Sequence, residues 1–117
     1  MVMQNKRVVI LGGTSGIGFS VAEAVAAAGG QPVVVSRRPE SVEAALATLG
    51  NGAEGMTADL SSEAAIADLF TRIGAFDHLA YTAGETLMLQ PLANMDIATA
   101  HRFLETRFWG ALTAAKY

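Results

Sequence analysis

The sequence predicts an α/β domain: a doubly wound parallel sheet with helices on both faces. Three observations lead there. Runs of β-branched residues alternate with Ala- and Leu-rich segments of helical length, the pattern of strand–helix–strand units. The two strongest apolar runs are continuous, as in strands covered on both faces. A glycine cluster, Gly12-Gly-Thr-Ser-Gly16-Ile-Gly18, joins the first run to the first helical segment. Right-handed crossovers place helices on both faces. The strand order 3-2-1-4 would then open a ligand crevice between strands one and four.

Arg7-Val-Val-Ile-Leu-Gly12 is the first strand. Residues 17–28 are Ala-rich and stop at Gly29-Gly30, so they form a helix with a glycine terminator. Gln31-Pro-Val-Val-Val-Ser36 is the second strand, its proline at the start, where a missing N–H matters least. Pro39 and Glu40 open a helix to about Leu49, closed by Gly50-Asn51-Gly52. Ala53 to Ala58 is a weaker strand, with Gly55 inside it. Ser61 or Ser62 caps a helix to about Ile73, ended by Gly74. Phe76 to Thr82 is the fourth strand, and residues 85–94 form a loop containing Pro91. From Asp96 one helix runs to the end, with Ile97, Ala100, Leu104, Phe108, Ala111 and Ala115 as an apolar stripe. Phe103, Trp109 and Leu112 lie off that stripe, so the helix is apolar on more than one face and is expected to be covered on two sides.

Composition bounds the function. At 117 residues the chain is one domain at most. It is 51% hydrophobic and 16% charged, which excludes a disordered tail or a linker. No apolar run approaches ~18 residues, so no membrane partner is expected. Residues 1–5 lack the charged and apolar regions of a signal peptide, and a cytoplasmic protein is expected. The absence of cysteine excludes a disulfide framework, a thiolate nucleophile and cysteine-ligated zinc. A net charge of −3 argues against nucleic acid as the main partner.

The glycine cluster carries the chemistry. Gly12 lets the chain turn sharply off the strand. Gly16 lets the backbone approach a diphosphate where a Cβ would intrude, and Gly18 permits close helix–strand packing. Unpaired N–H groups of the first helical turn, at Ser15, Gly16, Ile17 and Gly18, then face the phosphates. Thr14 and Ser15 add hydroxyl donors. No Gly-Lys-Ser/Thr comes after it, so this is not a nucleoside-triphosphate loop. The alternative is a tight turn that no ligand approaches.

In dinucleotide-binding folds an acid at the end of the second strand hydrogen-bonds the 2′-hydroxyl of NAD. Here the strand ends Ser36-Arg37-Arg38, with no carboxylate at its tip. Two guanidiniums and a hydroxyl suit a 2′-phosphate through charge-assisted bonds. NADP is therefore favoured over NAD, with Arg37 the main contact and Glu40 expected to point away. The alternative is a solvated charge pair on a loop.

Together these segments resemble the N-terminal half of the short-chain dehydrogenase/reductase family, whose fold is Rossmann-like. Gly12-Gly-Thr-Ser-Gly16-Ile-Gly18 is similar to its cofactor loop, T-G-x-x-x-G-x-G, with Leu11 replacing the threonine. Asp59-Leu60 resembles the pair that, in the family, contacts the adenine. Tyr81-Thr82-Ala83-Gly84 stands where the family has Asn-Asn-Ala-Gly, keeping Ala83 and Gly84 at the cofactor. Tyr81 and Thr82 can take over as strand-end hydrogen bonders, with Tyr81 as plain core the alternative. Arg107-Phe108-Trp109-Gly110 aligns with Asn-Leu-x-Gly. By resemblance that asparagine kinks the helix and holds a water in the proton relay. Arg107 is a fixed cation that cannot accept a hydrogen bond, which argues against the family's relay at this position. It is left to bind a substrate carboxylate or phosphate, or to pair with an acid.

The family's reaction also needs Tyr-x-x-x-Lys on one helical face, with a serine. The tyrosines are Tyr81 and Tyr117 and the lysines are Lys6 and Lys116, so no such pair and no catalytic residue can be named. An unpaired fourth strand and an uncapped last helix lead us to expect the first part of a chain about twice as long. His78 has no partner at ligand spacing, His101 and Glu105 are four apart as in a solvated helix pair, and no metal site is expected. Met88 borders a substrate cavity or packs within its loop. Trp109 anchors a homo-oligomer interface through the last helix or is buried within the chain. Residues 1–117 are thus expected to be the NAD(P)-binding domain of an oxidoreductase that moves hydride between nicotinamide and a small-molecule carbonyl or alcohol. The alternative is a non-catalytic NADP(H)-sensing protein.

Overall fold

The structure, a computed structural model, describes residues 2–84 and 90–117. Met88 lies outside them. Four parallel strands form one sheet: β1 (Arg7–Leu11), β2 (Gln31–Ser36), β3 (Glu54–Thr57) and β4 (His78–Tyr81). Their spatial order is β3-β2-β1-β4. Between them run α1 (Gly16–Ala27), α2 (Pro39–Leu49) and α3 (Glu63–Ile73).

Alternate residues of each central strand face opposite ways, so the continuous Val/Ile/Leu runs feed two cores. Val9, Leu11, Val33 and Val35 pack with Ile66, Leu69, Phe70 and Ile73 of α3. Val8, Ile10 and Val34 pack with Ala22 and Val25 of α1 and Ala45 of α2. Burying each such Val, Leu or Ile stabilises the fold by about 1.5–3 kcal/mol. The register Val9↔Val33 and Val9↔Leu79 aligns the carboxyl ends of β1, β2 and β4. That alignment places the three loops leaving those strands side by side.

The helix boundaries have local causes. Pro39 occupies the first turn of α2, where its missing N–H costs nothing. Ser62 caps α3, its hydroxyl accepting from the Ala65 N–H at 3.2 Å. Gly55 leaves β3 intact for a packing reason. A Cβ there would stand 2.4 Å from Val42 Cγ1, so the glycine is what lets α2 lie close on the strand. The outer strands are shorter than the sequence suggested, β3 by one residue at each end and β4 by two at its start and one at its end.

At the amino ends of the strands Arg7 forms a clamp that the sequence pattern did not reveal. Its guanidinium reaches Glu54 at 2.7 Å and the Ala75 carbonyl at 2.8 Å, and also donates to the Ile73 carbonyl. Gln31 donates to the other oxygen of Glu54 at 2.9 Å. One side chain thus ties β1 to β3 and to the end of α3.

The last segment departs from the expected single helix. It comprises α4 (Ile97–Leu104), a π-helical turn (Glu105–Gly110) and α5 (Ala111–Lys116). A π-turn admits one extra residue, which rotates the next helical turns relative to an unbroken α-helix. The expected stripe does not turn inward: Ile97, Leu104 and Phe108 are exposed, whereas Gly110 and Ala114 are buried. Trp109 is not buried either. It is 53% exposed and packs edge-on against Phe108, with ring centroids 4.8 Å apart.

Candidate functional site

The carboxyl ends of the strands surround a crevice of about 1140 Å³. It is reached from β1 by the turn Gly12–Ser15, from β2 by Ser36–Arg38, from β3 by Ala58–Leu60 and from β4 by Tyr81–Gly84. All the residues that the sequence nominated for cofactor contact line it. They are Gly12, Thr14, Ser15, Gly16, Ile17, Gly18, Ser36, Arg37, Arg38, Asp59, Leu60, Ala83 and Gly84. Ser41 and Thr106 line it too, without having been nominated. Ser41 lies one turn into α2, three residues after Arg38, a spacing that could have flagged it. Thr106 had no sequence signal, because the π-turn brings it there.

Each glycine of the first turn has its own physical reason. Gly12 has φ +90, and a Cβ on it would stand 2.6 Å from the Ala83 nitrogen. The turn leaving β1 thus touches the end of β4. Gly18 carries the closest approach: its Cβ would stand 2.1 Å from the Gly12 carbonyl oxygen and 2.4 Å from Thr82 Oγ1. Gly16 differs from both. Its φ is +56, which disfavours a side chain, yet nothing lies within 4 Å of where its Cβ would be. The chain leaves open space there, at the start of α1. The first N–H groups of a helix have no intrahelical partner, and its dipole favours an anion. Ser15 precedes α1 with extended backbone, and its hydroxyl makes no capping bond. Thr82 secures the arrangement, its hydroxyl donating to the Leu11 and Gly12 carbonyls at 3.2 Å each.

The second wall is cationic. Arg37 and Arg38 are both exposed at the tip of β2. The Ser36 hydroxyl accepts from the Arg38 N–H at 3.3 Å. Glu40 does not simply point away: its carboxylate meets Arg38 Nε at 3.1 Å. Its own backbone N–H and then Arg38 hold that carboxyl below its usual range. Across the crevice Asp59 is likewise held below the usual carboxylate range, first by the Ser61 hydroxyl, then by the Ser61 N–H, and more weakly by Arg37. Both Ser61 bonds fall on Oδ1, at 2.6 and 3.0 Å.

At the far end Tyr81 is half-buried, and its hydroxyl donates to the Thr106 carbonyl in the π-turn. Burial raises its phenol from 10 to about 12. Tyr81 therefore bonds as a strand-end donor and also packs against the core. Arg107 covers Gly84, where a Cβ would stand 2.7 Å from its Cζ, and lies over the Phe103 ring at 4.5 Å. Among the described residues no group of three or more His, Asp or Glu could hold a metal ion. No described helix is long and apolar enough to cross a membrane.

The sequence model of the family described as short chain dehydrogenase matches residues 6–117. The chain belongs to the short-chain dehydrogenase family. The short-chain dehydrogenase/reductase ucsE of Acremonium sp is 33% identical, covering 98% of this chain and 50% of that protein. A solved short chain dehydrogenase/reductase family protein superposes with a TM-score of 0.94 at 29% identity, over 99% of this chain and 49% of the other. The reductase/Diels-Alderase MalC of Malbranchea aurantiaca gives a TM-score of 0.85 at 28% identity, over 98% and 50%. The chain spans about half the length of these relatives.

Proposed function

We propose that the crevice binds NADP(H) and that the protein is an oxidoreductase moving hydride between the nicotinamide and a carbonyl or alcohol carbon. One observation carries the reading: the space left open at Gly16, beside the unpaired amides that start α1. Open space beside those amides suits a diphosphate. The crevice's other walls match the remainder of a dinucleotide. Arg37 and Arg38 offer guanidiniums where a 2′-phosphate would lie, and the acid nearest to them in sequence, Glu40, is already paired with Arg38.

Bound there, NADP supplies the hydride chemistry, and the protein supplies binding and orientation. The amides at Gly16 to Gly18 hold the diphosphate, Arg37 the 2′-phosphate, and Ala83 and Gly84 the passage toward the nicotinamide. Asp59, with Oδ2 left by the Ser61 bonds, faces the adenine side. Family membership supports oxidoreductase activity and a nicotinamide cofactor. The choice of NADP rests on the β2 tip alone.

Calorimetric titration tests it. NADPH is expected to bind at least tenfold more tightly than NADH, since a charge-assisted pair is worth about 1.5–3 kcal/mol. Equal affinities contradict the 2′-phosphate assignment.

A further inference from the structure

We infer that the Tyr81 hydroxyl sets the π-turn at Glu105–Gly110 and thereby places residue 107 against Gly84, one of the residues that line the crevice, which makes Tyr81 a positioning residue. In an unbroken α-helix the carbonyl of Thr106 would accept from the N–H of residue 110. In a π-turn the bonds reach one residue further. Here that carbonyl has a side-chain donor, the Tyr81 phenol, delivered from the end of β4. A phenol stays protonated across the neutral range, and burial raises this one further, to about 12, so the donor is present there.

Gly110 completes the device. A Cβ on it would stand 2.5 Å from the Tyr81 hydroxyl and 2.6 Å from the Leu60 carbonyl oxygen. Only a residue without a side chain lets the turn sit down on both. One residue of helix corresponds to a rotation of about 100°. Removing the extra residue of the π-turn would therefore swing residue 107 off Gly84, against which its guanidinium lies. The side chain that packs on Gly84 is thus selected by a phenol on a different element.

The functional weight of this placement rests on the crevice being the cofactor site. The placement itself does not, so the two are separable. Crystal structures of the chain with Tyr81→Phe, and with 4-aminophenylalanine at position 81, test it directly, together with hydrogen exchange of the amides of residues 106–111. Tyr81→Phe keeps the ring and removes only the donor. It is expected to return 105–110 to α-helix, move Arg107 off Gly84 and change exchange at those amides at least tenfold. The amino analogue restores a donor and is expected to restore the π-turn. A hydroxyl with a merely structural role lowers the melting temperature but leaves the π-turn and Arg107 in place, and that result overturns the inference. If Tyr81→Phe does not fold, Gly110→Ala decides: it crowds the hydroxyl away from Thr106, and a π-turn retained with Arg107 on Gly84 contradicts the inference. An unaltered chain that fails to bind NADPH contradicts the cofactor reading alone.

Discussion

Single residues decide the crevice. Gly16 is in the left-handed region with open space beside it, whereas Gly12 and Gly18 sit where a Cβ would strike backbone. Of the motif's four glycines, Gly16 thus leaves open space, while Gly12 and Gly18 bring elements together. In the proposed reading the cofactor preference turns on Arg37. Arg38 is engaged by Glu40, which leaves Arg37 the better placed of the two for a phosphate. Arg37→Asp is expected to weaken NADPH at least tenfold while leaving NADH within about threefold, because it replaces an attraction for the 2′-phosphate with a repulsion. Fluorescence titration of both cofactors checks this, and a parallel loss of both contradicts it. The glycine motif and the arginine pair were legible in the sequence as the residues that leave β1 and β2, and both line the crevice. Tyr81 was only half legible. Its strand-end position was visible, but its partner is a backbone carbonyl 25 residues away, which no pattern of side chains announces.

Among the elements, those with continuous apolar runs or terminator signals were readable and those shaped by tertiary contact were not. β1 and β2 fall where their continuous apolar runs ended, and α2 and α3 end at Gly50 and Gly74. Beyond Leu104 the last helix misled because the stripe through Phe108, Ala111 and Ala115 presumes 3.6 residues per turn throughout. The π-turn breaks that count at Glu105. The Arg7 clamp was equally invisible, because its partners Glu54, Ile73 and Ala75 are distant in sequence. Arg7→Met keeps the stem and removes the bonds. It is expected to lower stability by about 1–2 kcal/mol, partial exposure of the pair reducing the value of charged hydrogen bonds. Urea denaturation measures this, and an unchanged midpoint contradicts the clamp. The phenol of Tyr81 gives a pH signature. Its folded value is raised above its ordinary 10 to about 12, so the folded state keeps a proton that the unfolded state loses. Its contribution to stability is fully present below pH 10 and is lost as pH rises toward 12. Melting curves over that window are expected to fall more steeply for the unaltered chain than for Tyr81→Phe. Equal slopes contradict the burial of the phenol.

The whole molecule is a layered sheet with one working edge. Its parallel strands deliver their loops to the same side, so residues from positions 12 to 84 meet in one crevice. That convergence results from parallel pairing and right-handed crossovers, which is why the site could be assembled from sequence before its geometry was known. β4 stands at the sheet edge, with Leu79 partly exposed, and Phe108, Trp109 and Leu112 are exposed on the last helical segment. The central claim is that backbone amides at the start of α1 grip the diphosphate of NADP. A crystal structure of the protein with NADPH tests it most directly. The account predicts diphosphate oxygens within hydrogen-bond reach of the Gly16, Ile17 and Gly18 amides and the 2′-phosphate against Arg37. A dinucleotide bound elsewhere, or a diphosphate remote from α1, contradicts it.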